Sequence, residues 1–134
     1  MTQIESPEIH ISKPAGEVFA FLSALMNHKE IMPAQVKDFT GDADTCSYTI
    51  ENTGSLQLKV EERIANEKIK IVPNGKVPFV FDLTWQITPV SVSQCRVRAV
   101  IQAELNMMLR MLAEKPLTNF ITLQAENLQK KFTA

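Results

Sequence analysis

Residues 9–22 of the chain are Ile9-His10-Ile11-Ser12-Lys13-Pro14-Ala15-Gly16-Glu17-Val18-Phe19-Ala20-Phe21-Leu22, and this stretch decides the fold. Its first three residues alternate apolar and polar side chains, which is typical of a strand with one covered face. Pro14 then suits the first position of a helix, because the N–H group that proline lacks would have no partner there. Apolar residues follow at the spacing of an amphipathic helix: Val18, Phe21, Leu22 and Leu25.

A second short helix is predicted directly after the first. Glu30 follows Asn27 by three residues, and this spacing resembles a capping box in which Asn replaces the usual Ser or Thr. Pro33 disfavours helical backbone at the residue before it, so we expect the second helix to end there.

The middle of the chain predicts an antiparallel meander. Turn-forming residues recur at 41–44, 52–55, 73–76 and 89–91, and the third turn contains Asn74-Gly75, a strong hairpin signal. The clearest strand has these apolar residues on one face: Phe79, Phe81, Leu83, Trp85 and Ile87. The next has Cys95, Val97, Ala99, Ile101, Ala103 and Leu105. This alternation predicts strands with one covered face and one face in water.

A long helix is predicted from about Met107 to Lys131. One broad apolar stripe comprises Leu109, Leu112, Ala113, Leu117, Phe120, Ile121 and Leu128, whereas three methionines (Met107, Met108 and Met111) fall outside it. Pro116 cannot donate a backbone hydrogen bond, so we expect a kink or a break there. Either the kink rotates the first turns, or this end of the helix is apolar nearly all round and something covers it.

Length and composition describe one ordinary domain, residues 1–134. The formal net charge is −1 and no basic stripe is present, which argues against nucleic-acid binding. No apolar run approaches the ~20 residues of a membrane span, and the N-terminal residues lack the pattern of a signal peptide. We therefore expect a cytoplasmic protein.

Cysteine and histidine spacing predicts neither a metal site nor a disulfide. Cys46 and Cys95 lie in apolar strand patterns, as small buried residues do in a reducing compartment. His10 and His28 are far apart and neither is close to a cysteine. The four glycines form no phosphate-binding motif, so no cofactor is expected.

The order of strand, two short helices, several strands and one long helix resembles the START-like, or SRPBCC, superfamily, which includes the Bet v 1-like proteins. Residues 12–33 resemble its opening, and residues 103–108 with Lys115-Pro116-Leu117 resemble a bacterial branch. The resemblance implies an α+β helix-grip fold: a curved antiparallel sheet of about six to seven strands around a long C-terminal helix, with two short helices after the first strand. It also implies an apolar pocket between sheet and helix, which relatives use for lipids, sterols, hormones or polyketides. One departure is that the glycine-rich loop of Bet v 1-like proteins is reduced here to Gly54.

The inward phase of the strands and the apolar residues of the helix supply candidates for the pocket wall. They are Tyr48, Leu58, Phe81, Leu83, Trp85, Ile101, Met108, Leu112 and Phe120. The Tyr48 hydroxyl would orient a ligand in an apolar cavity, although a core tyrosine bonded to the backbone has the same pattern. Trp85 fits the core as well as the pocket wall. The methionines fit a pocket lid, a protein contact or plain core.

Glu62 is the candidate acid. If the phase of Leu56, Leu58 and Val60 continues, the Glu62 carboxyl group points inward, where an unpaired charge is costly. A bulge or a strand end would place it in water instead.

Three functions follow from these observations. The leading hypothesis is a binding domain that holds a small apolar molecule, lipid-like or polyketide-like. A second is a cyclase-like or dehydratase-like enzyme that uses Glu62 or Tyr48 for proton transfer. A third is an interaction or co-chaperone-like module, including a homodimer, that uses the surface from Met107 to Met111.

Overall fold

The computed structural model describes residues 1–51, 54–77 and 79–133. Two residues of the predicted turn 52–55, Asn52 and Thr53, lie outside the described residues. The strands are β1 (Thr2–Glu5), β2 (Ile9–Ile11), β3 (Val36–Gly41), β4 (Thr45–Ile50), β5 (Gly54–Ile64), β6 (Lys68–Pro73), β7 (Phe81–Ser91) and β8 (Gln94–Ala103). The helices are α1 (Ala15–Ser23), a 3₁₀ helix (Leu25–Ile31) and α2 (Met107–Lys131).

The described strands form one antiparallel sheet in the order β1-β8-β7-β6-β5-β4-β3, and β2 pairs with the far end of β8. The sheet, the two short helices near the N-terminus and the long C-terminal helix confirm the predicted α+β architecture. The sheet has eight strands, more than the six to seven expected. The sequence pattern misses β1, because a strand of four residues is too short for alternation to identify it.

Ser6 joins β1 to β2 so that both strands pair with β8. Its backbone N–H donates to the Ala99 carbonyl oxygen at 2.9 Å. Its side-chain hydroxyl oxygen accepts the Ala99 N–H, also at 2.9 Å. Ser6 is buried, and these two bonds satisfy backbone groups that the break between the two strands would otherwise leave without partners.

The two helices after β2 form as predicted, but the capping prediction for the second is wrong. Pro14 directly precedes α1, and Pro33 follows the 3₁₀ helix. The 3₁₀ helix begins at Leu25, two residues before Asn27, so Asn27 lies inside it. The Asn27 side-chain amide instead donates to the Phe21 carbonyl oxygen at 3.1 Å.

The long helix α2 has the predicted bounds and runs through Pro116 without a break. At its start, the Asn106 side-chain oxygen accepts the Leu109 N–H at 2.9 Å, which is a normal N-cap. Its buried residues are Phe120, Ile121, Gln124, Ala125 and Leu128, all in the second half. The second half therefore packs into the core, while the first half spans the rest of the concave sheet.

The floor of the core is built around Trp85 of β7, which is fully buried. The His28 ring meets it edge-to-face, with ring centroids 6.2 Å apart. The Nε2–H of His28 donates to the Leu22 carbonyl oxygen at 2.8 Å. Burial lowers the pKa of His28 from 6.5 to about 4, and the Leu22 bond only partly opposes this.

His28 predicts a pH dependence of stability. Its pKa is lower in the folded protein, so the unfolded chain binds more protons between about pH 6.5 and 4. The free energy of unfolding should thus be fully retained above pH 6.5 and fall by about 3 kcal/mol as the pH drops to 4. Urea unfolding across this range measures the slope. His28→Gln should flatten it and His10→Gln, at an exposed histidine, should not; an unchanged slope in His28→Gln would contradict this account.

Candidate functional site: an apolar cavity under the middle of α2

A cavity of about 480 Å³ lies between the concave face of the sheet and α2. Its apolar wall comes from strands β4, β5, β7 and β8, from the β6–β7 connection and from α2. The wall residues are Tyr48, Ile50, Leu56, Leu58, Val77, Phe79, Phe81, Leu83, Ile101, Pro116, Leu117, Phe120 and Ile121. The helix residues that line the cavity, Pro116, Leu117, Phe120 and Ile121, lie in the middle of α2.

Most of the predicted wall residues lie around this cavity. Those brought together are Tyr48, Leu58, Phe81, Leu83, Ile101 and Phe120. They come from four strands and one helix that are distant in sequence, and antiparallel pairing aligns them: Leu83 lies opposite Ile101, and Phe81 opposite Ala103.

Three predicted residues lie elsewhere. Trp85 faces the same way as Leu83 but sits two residues further along β7, against His28, where it is core. Met108 and Leu112 are 72% and 69% exposed, on the face of α2 that points away from the sheet. Neither Met108 nor Leu112 lines the cavity, because both side chains are exposed on a helix that is continuous through Pro116.

Sequence reasoning missed several wall and rim residues. Leu56, Leu117 and Ile121 belong to the predicted inward patterns. Those patterns do not distinguish inward residues that pack in the core from inward residues that line the cavity. Phe79 fits core equally well by pattern, and it lines the cavity. The polar rim residues have no sequence signal, since a turn lysine or serine is ordinary anywhere.

Tyr48 is held rigidly in the wall. Its ring stacks between Phe39 and Phe120, with centroid distances of 5.8 and 6.4 Å and an interplanar angle of 10° in both pairs. No hydrogen bond joins its hydroxyl to any other residue in the described part of the chain, so it is not a core tyrosine bonded to backbone. Burial raises the pKa of Tyr48 well above its usual value, so the hydroxyl stays protonated.

Glu62 does not reach the cavity. The pairing of β5 with β6 shifts between Val60 and Glu62, so the inward phase of β5 ends there. The Glu62 carboxylate is exposed and forms an ion pair with the Lys68 ammonium group at 2.9 Å. Of the two alternatives that the sequence leaves open for Glu62, the structure therefore shows the bulge that places the carboxylate in water.

The cysteines are buried outside the cavity wall. Burial raises the pKa of Cys46 to about 11 and also raises the pKa of Cys95, so both remain thiols rather than nucleophilic thiolates. Within the described ranges, no three of the His, Cys, Asp and Glu side chains form a group able to hold a metal ion. The described helices likewise include none long and apolar enough to cross a membrane.

Polar residues surround the mouth of the cavity: Gln35, Glu51, Ser55 and Lys76. On one side, the Glu51 N–H donates to the Gln35 carbonyl oxygen at 2.9 Å, which ties the end of β4 to the chain before β3. The Glu51 carboxylate also pairs with the Lys37 ammonium group at 3.3 Å. Lys76 lies in the β6–β7 connection.

Comparison with known proteins identifies this architecture. No protein-family model matches the chain, and neither does any curated protein sequence. A START superfamily protein from Mycobacterium smegmatis superposes with a TM-score of 0.70 at 14% identity, over 97% of this chain and 96% of that one. The chain has the helix-grip fold. This confirms the fold that the START-like resemblance implies.

Two further helix-grip structures show how widely the fold is used. A point mutant of norcoclaurine synthase from Thalictrum flavum, in complex with a transition-state analogue, has a TM-score of 0.76 at 14% identity, over 98% of this chain and 93% of that one. The di-domain ARO/CYC protein BexL of the BE-7585A biosynthetic pathway has a TM-score of 0.75 at 16% identity. The match covers 97% of this chain and 46% of BexL, so this chain spans about half of that protein.

The free hydroxyl of Tyr48 predicts an unusual mutational result. Tyr48→Phe removes a hydroxyl of the cavity wall that has no hydrogen-bond partner among the described residues, so the ligand-free variant should be about as stable as the wild type. The matched control is Ser6→Ala, which removes a buried hydroxyl that does accept a backbone N–H and should cost about 1–3 kcal/mol. Urea unfolding of both measures the difference, and a loss in Tyr48→Phe equal to that in Ser6→Ala would refute the assignment.

Proposed function

We propose that residues 1–134 form one helix-grip domain that binds a single small apolar molecule in the cavity between the sheet and the middle of α2. The observation that supports this most is the cavity itself, about 480 Å³ with a continuous apolar wall. Ligand sites in proteins typically measure ~300–1,000 Å³ and combine such a wall with few polar groups.

Removal of apolar ligand surface from water drives binding in this proposal. Each Å² contributes ~25 cal/mol before the costs of association. Tyr48 orients the ligand in this proposal. Its ring stacks between Phe39 and Phe120, and its protonated hydroxyl can donate a hydrogen bond to an oxygen of the ligand. A lipid-like or polyketide-like molecule has the required apolar body.

Binding is better supported than catalysis by the groups around the cavity. The titratable side chains among the described wall and rim residues are Tyr48, Glu51 and Lys76. Burial raises the pKa of Tyr48, so its hydroxyl is a weak acid and no tyrosinate is available as a base. Glu51 is paired with Lys37 at the exposed rim, outside the apolar part of the cavity.

Calorimetric titration with 1-decanol, an uncharged apolar probe that fits the volume, tests the proposal. Leu117→Trp puts a larger side chain into the cavity wall and should abolish the binding seen with the wild type. Leu123→Trp makes the same change at an exposed position on the same helix and should retain binding. Failure of the wild type to bind decanol, or equal binding by both variants, would count against the cavity as the site.

A second candidate function rests on the methionine patch, defined as Met107, Met108, Met111 and Leu112. These side chains are 81%, 72%, 79% and 69% exposed, and they lie on one face of the first turns of α2. Contiguous exposed apolar side chains of this kind commonly mark protein contacts. A second copy of this chain, packed patch to patch as a homodimer, would cover them.

The oligomeric state tests this second candidate. If the methionine patch forms a homodimer, the double variant Met108→Lys, Met111→Lys should elute as a monomer in size-exclusion chromatography while the wild type elutes as a dimer. The control double variant Val90→Lys, Val92→Lys changes exposed apolar residues at the β7–β8 turn and should remain dimeric. A wild type that elutes as a monomer at all concentrations would exclude self-association through the patch.

A further inference from the structure

We infer that the ligand is an amphiphile with one negative charge, whose apolar body fills the cavity and whose anionic group lies at the rim beside Lys76. This inference rests on the proposed binding function and adds the chemical class of the ligand. It comes from the distribution of charge around the cavity, which is uneven in two ways.

The first asymmetry is between the interior and the mouth. Among the described residues, no charged side chain belongs to the buried wall, where Tyr48 provides a neutral hydroxyl. The charged lining residues, Glu51 and Lys76, are exposed at the rim. A charged group inside the wall would lose its hydration without a partner, so a ligand charge belongs at the mouth.

The second asymmetry is between the two charged residues of the rim. The Glu51 carboxylate is paired with the Lys37 ammonium group at 3.3 Å. In contrast, no carboxylate within the described ranges lies in ion-pair distance of the Lys76 ammonium group. The rim therefore carries one uncompensated positive charge, which matches one negative charge on a bound molecule.

Lys76 is held at this position by a defined turn. The Asn74 N–H donates to the Gln57 carbonyl oxygen at 2.7 Å, which ties the start of the β6–β7 connection to β5. Gly75 has a φ of +132°, a conformation that residues with a Cβ rarely adopt, so this turn favours glycine. Lys76 follows it directly, and its exposed side chain belongs to the lining of the cavity.

A paired titration with decanoate and 1-decanol at pH 8 and low ionic strength tests the charge. The two probes share the apolar chain and differ in the end group. In the wild type, the ratio of the decanol Kd to the decanoate Kd should be roughly fivefold higher than in Lys76→Met, as expected for one partly screened ion pair. Decanol itself should bind both proteins equally, which also shows that the variant is folded.

Lys59→Met is the matched control, because Lys59 is an exposed lysine of β5 that does not line the cavity, and it should keep the wild-type ratio. Raising the ionic strength should lower the wild-type ratio toward that of Lys76→Met. If decanol binds but the ratio is unchanged in Lys76→Met, the anionic class is wrong and apolar binding stands. If neither probe binds the wild type, the proposed function fails and this inference fails with it.

Discussion

The fold and its cavity depend on one constraint: α2 is anchored to the rest of the protein through its second half. Phe120, Ile121 and Leu128 are buried there, and side chains fix the same half by hydrogen bonds. Asn127 donates to the Ile31 carbonyl oxygen and Gln129 to that of His10, each at 3.0 Å. Before residue 120, α2 contributes no buried residue, and the cavity lies under the middle of the helix, where Pro116, Leu117, Phe120 and Ile121 line it.

Because of this division, residues of the packed core and residues of the cavity wall lie at different positions along the same strand. On β7, Trp85 belongs to the core and Leu83, two residues earlier on the same face, lines the cavity. Substitutions on the two sides of that boundary should behave differently. In the core they leave voids and lower stability. In the cavity wall they change the shape of an existing space, and the folded state tolerates them better. Substitution of Tyr48 by Phe should likewise be tolerated, because the Tyr48 hydroxyl lacks a hydrogen-bond partner among the described residues.

The sequence predicts the architecture well because its signals are periodic and local. Pro14 with the following apolar stripe, the alternation around Trp85 and the bounds of α2 all depend on neighbours in sequence. The site is harder to predict because it depends on how far a helix covers a sheet. Met108 and Leu112 illustrate this, since their exposure depends on the anchoring of residues 120–131 rather than on their own pattern. Glu62 illustrates it too, because its position in water depends on a bulge in β5, which the sequence leaves as one of two alternatives.

The central claim is that the cavity holds a small apolar molecule. Native mass spectrometry of the protein purified gently from its own source, followed by organic extraction, tests it most directly. The account predicts one adduct of small mass per chain, which organic extraction releases. A clean ligand-free mass, from a protein that also fails to bind apolar probes of this size, would contradict it.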